Sequence, residues 1–260
     1  MIRLMLVVCF FLSSISLAQI RVASFNLESG GADIDYLLED LKTFGRGVHI
    51  WGFQEVYSYW YEPIIEGLSQ INGEAFQGVL GKSGGGDRLL IAYNPQILEL
   101  ESFEELEWIN IQGRVRAPLV ASLRIISSGE RFKFVNNHLY RSRASDRHQQ
   151  ARLLNEWGRQ SSVPIVAVGD YNFDWDLQRK GRDLGYDLLT KDETFQWVQP
   201  DELIKTQCSP RYNTILDFIF LSSQARSWKA SSKIKFPEPE YCDKDPFRSD
   251  HRPVTALIYP

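Results

Sequence analysis

Cysteine is almost absent from this chain. Only three occur in 260 residues, and Cys9 lies among the first eighteen, so Cys208 and Cys242 are left for the folded part. Two thiols leave room for one disulfide and make a thiolate-ligated zinc site a poor fit. Gly/Ser/Pro-rich linkers, low-complexity runs and repeats at a solenoid period are also missing, which points to one domain. After the first eighteen residues no apolar run is long enough for a membrane-spanning helix. A surplus of basic charge is missing too, since 29 Lys and Arg stand against 33 Asp and Glu. Such a chain is a poor non-specific binder of nucleic acid by bulk charge, although a local basic groove or a bound cation overcomes a modest negative balance. What remains is normal globular composition, 43% hydrophobic and 24% charged, enough for a full core.

Residues 1–18 read as a secretory signal peptide. Arg3 supplies a positive start, Leu4 to Leu12 is apolar, and Ser16-Leu17-Ala18 is a small-x-small cleavage site before Gln19. Cys9 sits inside the apolar run rather than just after a cleavage site, which argues against a lipoprotein anchor. Removal of this segment leaves 28 basic against 33 acidic residues, or −5. The expectation is a secreted or periplasmic protein of residues 19–260. In an exported chain Cys208 and Cys242 are expected to pair, tying the segment before Asp217 to the segment before Asp250.

Apolar spacing predicts strands at Ile20–Leu27, Val48–Gln54, Phe76–Leu80, Leu89–Tyr93, Leu119–Ile125, Phe132–Asn136, Ile165–Val168, Leu216–Leu221 and Val254–Tyr259. Helical spacing covers Ile34–Phe44, Tyr61–Ile71 and Ala144–Gln160. Gly81 to Gly86 reads as a hairpin loop. It is no phosphate-binding loop, because Phe76 stands where that motif's first glycine belongs. Strands dominate and several are in hairpin arrangement, so two packed, mostly antiparallel sheets with helices outside are expected.

Polar signatures end several of the apolar runs: Ser24-Phe25-Asn26-Leu27, Gly52-Phe53-Gln54-Glu55-Val56, Asn136-Asn137-His138-Leu139 and Gly169-Asp170-Tyr171-Asn172. Asp217 lies within an apolar strand, and Ser249-Asp250-His251-Arg252-Pro253 closes the series. A carboxylate flanked by Leu216, Phe218 and Ile219 needs a buried partner, and a histidine is a natural one. Carboxylates, amides and two histidines at strand ends suit metal-assisted phosphodiester hydrolysis. Hard oxygen donors fit Mg²⁺, Mn²⁺ or Ca²⁺ better than Zn²⁺.

Asn26, Glu55, His138, Asp170-x-Asn172, Asp217 and Ser249-Asp250-His251, in this order, resemble the endonuclease/exonuclease/phosphatase superfamily of DNase-I-like hydrolases. The resemblance implies a four-layer α/β/β/α sandwich (an α+β fold) with the site at one end of the sheets. It implies that Glu55 binds a divalent metal, with Asn26 and Asp250 close by. His251 would be general base, oriented by Asp217. Asp170 and Asn172 would position nucleophile and phosphate. His138 would contact a phosphate oxygen or protonate the leaving group, and Arg116 would contact phosphate.

The superfamily contains nucleases, sphingomyelinases and phosphatases, and a shared site does not choose among them. Arg141, Arg143 and Arg147 follow His138, with Arg152 beyond on the helix, and are candidates to track neighbouring phosphates. Tyr57, Tyr59, Trp60 and Tyr61 form an aromatic cluster just after Glu55 that has three readings, stacking on bases, contact with a lipid interface or packing under the following helix, and packing is the leading expectation. The leading expectation is a secreted, Mg²⁺-dependent nuclease acting on DNA or RNA, with no membrane anchor and no obligate protein partner. A sphingomyelinase-type phospholipid phosphodiesterase or a phosphatase is the alternative, and a non-catalytic binding module a third possibility.

Overall fold

The computed structural model describes residues 19–113, 115–179, 181–243 and 246–260. The proposed signal peptide, residues 1–18, lies outside them. Twelve strands form two six-stranded sheets. The first is built from β1 (Ile20–Asn26), β2 (Ile50–Val56), β3 (Gln77–Leu80), β4 (Arg88–Tyr93), β11 (Lys229–Ile234) and β12 (Val254–Tyr259), in the order β11-β12-β1-β2-β4-β3. The second contains β5 (Leu98–Glu105), β6 (Leu119–Ile125), β7 (Arg131–His138), β8 (Ile165–Asp176), β9 (Phe195–Trp197) and β10 (Thr214–Ser222), in the order β5-β6-β7-β8-β10-β9. Each sheet is antiparallel except for one central parallel pair, β1 with β2 and β7 with β8. Helices α1 (Ile34–Phe44) and α2 (Tyr61–Asn72) cover the first sheet. Helices α3 (Ala144–Arg159) and α4 (Leu184–Thr190) pack together over the second. This is the four-layer sandwich that the sequence motifs implied.

Strand alternation sorts each residue to a layer. In β1 Ala23 and Phe25, with Leu27 just after it, pack with α1 and α2, whereas Ile20 and Val22 join the cluster shared with the second sheet. The inward-facing rows then change character along each strand. Ile20 and Val22 give way to Ser24 and Asn26, Ile50 and Gly52 to Gln54, Phe132 and Phe134 to Asn136 and His138, and Val168 to Asp170. One end of the layer between the sheets is therefore apolar core and the other a buried polar seam.

The elements missed by apolar periodicity are β5, β9, β11 and α4. Strands β5, β9, β11 and β3 are the sheet edges, and β5 and β11 carry the charged, exposed faces with which edge strands avoid pairing with other chains. Helix α4 has only seven residues, too few to display a periodic stripe. Strand β8 continues eight residues past the expected Val168, through the polar Gly169-Asp170-Tyr171-Asn172 segment. The expected Cys208–Cys242 disulfide is present.

Two glycines allow the seam to close. A Cβ on Gly52 would come within 2.5 Å of Val168 Cγ2 and 3.1 Å of Asn136 Oδ1, so the sheets meet here only over a bare backbone. Gly169 has φ +142°, and a Cβ there would lie 2.0 Å from the Asn137 carbonyl oxygen. Gly169→Ala is expected to lower stability by about 3 kcal/mol, combining backbone strain with overpacking. Gly85 also has positive φ but no neighbour within 4 Å, so Gly85→Ala should cost only about 1 kcal/mol. Urea denaturation of both variants measures the gap, and equal losses would refute the steric argument.

Candidate active site

The polar seam is built from interior strands, whose positions are the best constrained in the fold. Asn26 ends β1, Gln54 and Glu55 end β2, His138 ends β7, and Asp170 lies in β8 with Asp217 opposite it in β10. Asp170 also pairs in register with His138. Two bulges aim the side chains. Between Phe53 and Val56 the β2–β4 register slips, and Glu55 takes φ +57°. Opposite Ile215 and Asp217, β8 carries extra residues, with Asn172 at φ +52° and Asp174 at φ +43°. Such left-handed backbone is costly for residues other than glycine and collects where side chains are being directed.

Asp170 Oδ2 is the meeting point. It accepts a hydrogen bond from Asn26 Nδ2 at 3.2 Å and lies 3.5 Å from His138 Nε2 and 3.9 Å from His251 Nε2. Its other oxygen accepts from the Asn172 backbone N–H at 3.0 Å. Asn172 Nδ2 donates to the Leu139 carbonyl at 3.2 Å, and Asn26 Nδ2 also reaches Glu55 Oε1 at 3.2 Å. Burial raises the Asp170 pKa, and the negative charges of Asp217 and Glu55 add to that rise while His251 opposes it.

The two histidines are held in opposite states. His251 Nδ1 lies 2.8 Å from Asp217 Oδ2, which leaves Nε2 toward Asp170 and Asp250. Burial alone would lower its pKa, but Asp217, Asp170 and Asp250 outweigh burial and raise it. His138 Nδ1 lies 2.8 Å from Arg116 Nη2. A guanidinium can only donate, so Nδ1 accepts and the proton of the neutral ring sits on Nε2, facing Asp170 and Glu55. Burial and then the Arg116 charge hold the His138 pKa well below its ordinary value.

The remaining expected residues divide. Arg116 is at the site as the backing of His138, with a second bond to Asp87 Oδ2 at 2.6 Å. Asp250 is held by Gln207 Nε2 at 2.9 Å on Oδ2, and its backbone N–H donates to Glu28 Oε2 at 3.1 Å. Ser249 Oγ donates to the Asn26 carbonyl at 2.6 Å, joining the Asp250 segment to β1. Arg141 is exposed, and its charge contributes to lowering the His138 pKa. Arg143 is exposed and faces Asp146 at 3.6 Å, while Arg152 pairs along its helix with Glu156. Arg147 tracks no phosphate. It is buried, forks onto Asp183 at 3.1 and 2.7 Å, and donates to the Tyr140 and Arg141 carbonyls at 2.9 Å each. Helical spacing turned it inward, where Asp183 waits at the start of α4.

Four supporting residues escaped the sequence reading. Glu28, two positions after Asn26, is pushed up to about 7 by burial and the Asp250 charge. Asp87 is pushed up to about 6 by burial, against the pull of Arg116. Gln207 and Asp183 complete the set. Alternation from Asn26 was a usable signal for Glu28; the other three come from loops where spacing carries no information.

The donor chemistry fits a divalent cation. Glu55, Asp87 and His138 offer ligand atoms within 4.8 Å of one another, as do Asp170, Asp217 and His251. Asp217 is committed to His251 and Asp87 to Arg116, but among the described residues Glu55 receives a hydrogen bond only from the Asn26 amide. Glu28 and Asp250 lie nearby, and burial first, then the Asp250 and Glu55 charges, raise the Glu28 pKa.

Comparison with known proteins agrees with this construction. A family model described as the Endonuclease/Exonuclease/phosphatase family matches residues 23–251. No curated protein sequence matches this chain. An endonuclease/exonuclease/phosphatase family protein from Bacteroides thetaiotaomicron has 18% identity and a TM-score of 0.71, covering 94% of this chain and 98% of that one. A counterpart from Bacteroides vulgatus has 20% identity and a TM-score of 0.71, covering 93% and 98%. D. rerio TDP2, complexed with single-strand DNA product, has 14% identity and a TM-score of 0.71, covering 94% and 100%. At these identities the structural likeness shows the fold.

The Arg147–Asp183 pair makes a prediction about acid stability. Burial raises the Asp183 pKa, but hydrogen bonds from Arg147, His148 and the Gly185 N–H together leave it below its ordinary value. A carboxylate with a depressed folded pKa stabilises above its unfolded pKa, and that contribution is lost as pH falls through the folded one. Asp183→Asn should cost about 3 kcal/mol at neutral pH. The difference from wild type should hold down to about pH 4 and shrink below it. A difference that stays constant to acid would show that the charge of Asp183 contributes nothing.

Proposed function

The chain belongs to the endonuclease/exonuclease/phosphatase family, whose members are phosphoric ester hydrolases, and on that footing we propose that it is an exported, divalent-metal-dependent phosphodiesterase that cuts nucleic acid. The observation carrying this reading is the pair of histidine Nε2 atoms, 3.5 and 3.9 Å from one carboxylate oxygen of Asp170. One ring is backed by a carboxylate and the other by a guanidinium, so the two sides of the site handle protons differently. That asymmetry suits in-line attack on phosphorus, with a base on one side and a fixed donor on the other.

His251 takes the proton of the attacking water at Nε2, while Asp217 holds Nδ1 and stabilises the imidazolium that forms. Asp170 and Asn172 orient the water and the phosphate. His138, locked neutral by Arg116, donates its Nε2 proton as a hydrogen bond to a phosphate oxygen. This favours charge stabilisation over leaving-group protonation as its role. Arg116, with its guanidinium on Asp87 and His138, fixes the tautomer. Glu55 would hold the cation, Mg²⁺ being the best match to an all-oxygen donor set, with Asn26 and Asp250 beside it. A cation held there would offset the carboxylate field and polarise the scissile P–O bond.

Three features support nucleic acid as substrate. Arg141 is exposed and near enough to His138 for its charge to act on that ring, which suits a role in holding a flanking phosphate. The aromatic ring of Tyr59 is exposed shortly after Glu55. The TDP2 neighbour was solved with a single-stranded DNA product. Export is supported by the signal-peptide pattern of residues 1–18 and by the Cys208–Cys242 disulfide.

Residues 19–260, oxidised, should nick supercoiled plasmid or cleave RNA in Mg²⁺ and lose that activity in EDTA. His251→Ala should lower kcat by about 10³-fold or more, and His138→Ala by about 10²-fold or more. Intact nucleic acid alongside hydrolysis of sphingomyelin or a phosphomonoester would replace the nuclease reading with one of its relatives. Full activity in His251→Ala would overturn the mechanism.

A further inference from the structure

The aromatic cluster after Glu55 does not all pack, contrary to the expectation from sequence. Trp60 is buried and Tyr61 half-buried, its hydroxyl donating to the Gly78 carbonyl at 3.1 Å. Tyr59 instead is 68% exposed. Its ring lies flat on Tyr57, with centroids 5.1 Å apart and planes 13° apart. Trp60 braces both rings edge-on, at 5.0 Å from Tyr57 and 6.1 Å from Tyr59. A solvent-facing tyrosine normally explores several rotamers; this one is preset by two neighbours.

The stack is continuous with the active site. Tyr57 follows Glu55 by two residues and its ring lies near Gly86, where an added Cβ would be 3.5 Å from it. Asp87 comes next and holds Arg116, which holds His138. Tyr59 also lines a cleft of about 470 Å³, together with Tyr61, Glu62, Leu80, Leu100 and Phe103. Phe103 is itself 54% exposed. The site therefore extends into an aromatic shelf that the hydrolytic chemistry does not use.

Resting on the nuclease reading, we propose that Tyr59, supported by Tyr57, is a stacking platform for an unpaired base of the substrate strand next to the scissile phosphate. The geometry selects a flat ligand. Tyr57 covers one face of the Tyr59 ring while the residue stays 68% exposed, and a flat, accessible ring suits a nucleobase. A quaternary ammonium headgroup is better held by several faces converging on one point. Insertion into a lipid surface calls for a broad apolar patch with basic residues around it, and here Glu62 lines the cleft. A ring already stacked and braced loses little freedom on binding, so the contact contributes to affinity without a large ordering cost.

The test compares a single-stranded oligonucleotide with a series carrying one abasic residue at successive positions around the cut. For the intact strand, Tyr59→Ala should raise KM about 5- to 100-fold with kcat little changed, in line with the loss of one base–aromatic stack. Tyr59→Trp and Tyr59→Phe should restore wild-type KM. One abasic position should raise the wild-type KM equally, and on that strand Tyr59→Ala should have no further effect. An unchanged KM for the intact strand, or the same loss on every abasic strand, overturns the platform. Loss of binding to sphingomyelin vesicles by Tyr59→Ala, with oligonucleotide KM intact, overturns it in favour of a lipid surface. Failure of the wild-type protein to cleave any oligonucleotide overturns the nuclease reading itself, and the platform with it.

Discussion

Two sheets can stack through apolar side chains alone, but a site between them requires polar groups to be buried without being orphaned. Here a seam of side-chain amides meets most of that requirement, with Gln54 Oε1, Asn137 Oδ1 and Asp217 Oδ1 left without a partner among the described residues. Asn136, from the second sheet, donates to the Phe53 and Leu90 carbonyls of the first at 2.7 and 3.0 Å. Those carbonyls flank the bulge that turns Glu55 out of the ladder. Gln54 returns a bond from the first sheet to Asn136 Oδ1 at 2.6 Å, and Asn26 crosses to Asp170. Leaving such groups unpaired would cost on the order of 1–3 kcal/mol each. The bulge, the close approach at Gly52 and the positions of Glu55 and Asp170 therefore stand or fall together.

Electrostatic order follows from that seam. Strand register brings Asp170 beside both His138 and Asp217, so several acids share a small volume from which water is largely excluded. Such crowding is tolerable only with compensating charge. His251 supplies it on one side and Arg116 on the other, and the carboxylates on the Glu55 side form a cluster that could hold a cation. The same arrangement makes the two histidines unlike, because one is backed by an acceptor and the other by a donor that cannot give up its charge.

The loops around the seam are braced by groups with no chemical role of their own. Arg147 and Asp183 pin the turn after His138 to the start of α4, and the Asp183 N–H donates to the Phe173 carbonyl beside the Asn172 bulge at 2.7 Å. The Cys208–Cys242 disulfide lies behind Asp250 and His251. The Cys208 N–H donates to the Asp250 carbonyl at 2.6 Å, and the Tyr241 hydroxyl to the His251 carbonyl at 3.2 Å. Arg248 is anchored on the buried Asp40 of α1. Each brace joins segments far apart in the chain, which limits how far the strand ends can splay.

The sequence by itself determined the layered architecture, because period-two apolar rows and amphipathic helices have few ways of burying their faces together. It also marked Asn26, Glu55, His138, Asp170, Asn172, Asp217, Asp250 and His251, because their order along the chain resembles that of the family. It did not reveal the edge strands β5, β9 and β11, which are charged and exposed or very short, or Asp87, Gln207 and Asp183, which reach their partners from loops. Only the tertiary structure decided which side of His138 carries its proton, since Arg116 is 22 positions away in sequence. The same holds for Arg147, turned into the protein by an acid 36 residues later, and for Tyr59, which stands in solvent while its neighbour Trp60 is buried. Charge and exposure depend on what long-range contacts bring within a few ångströms, and local spacing contains no measure of that distance.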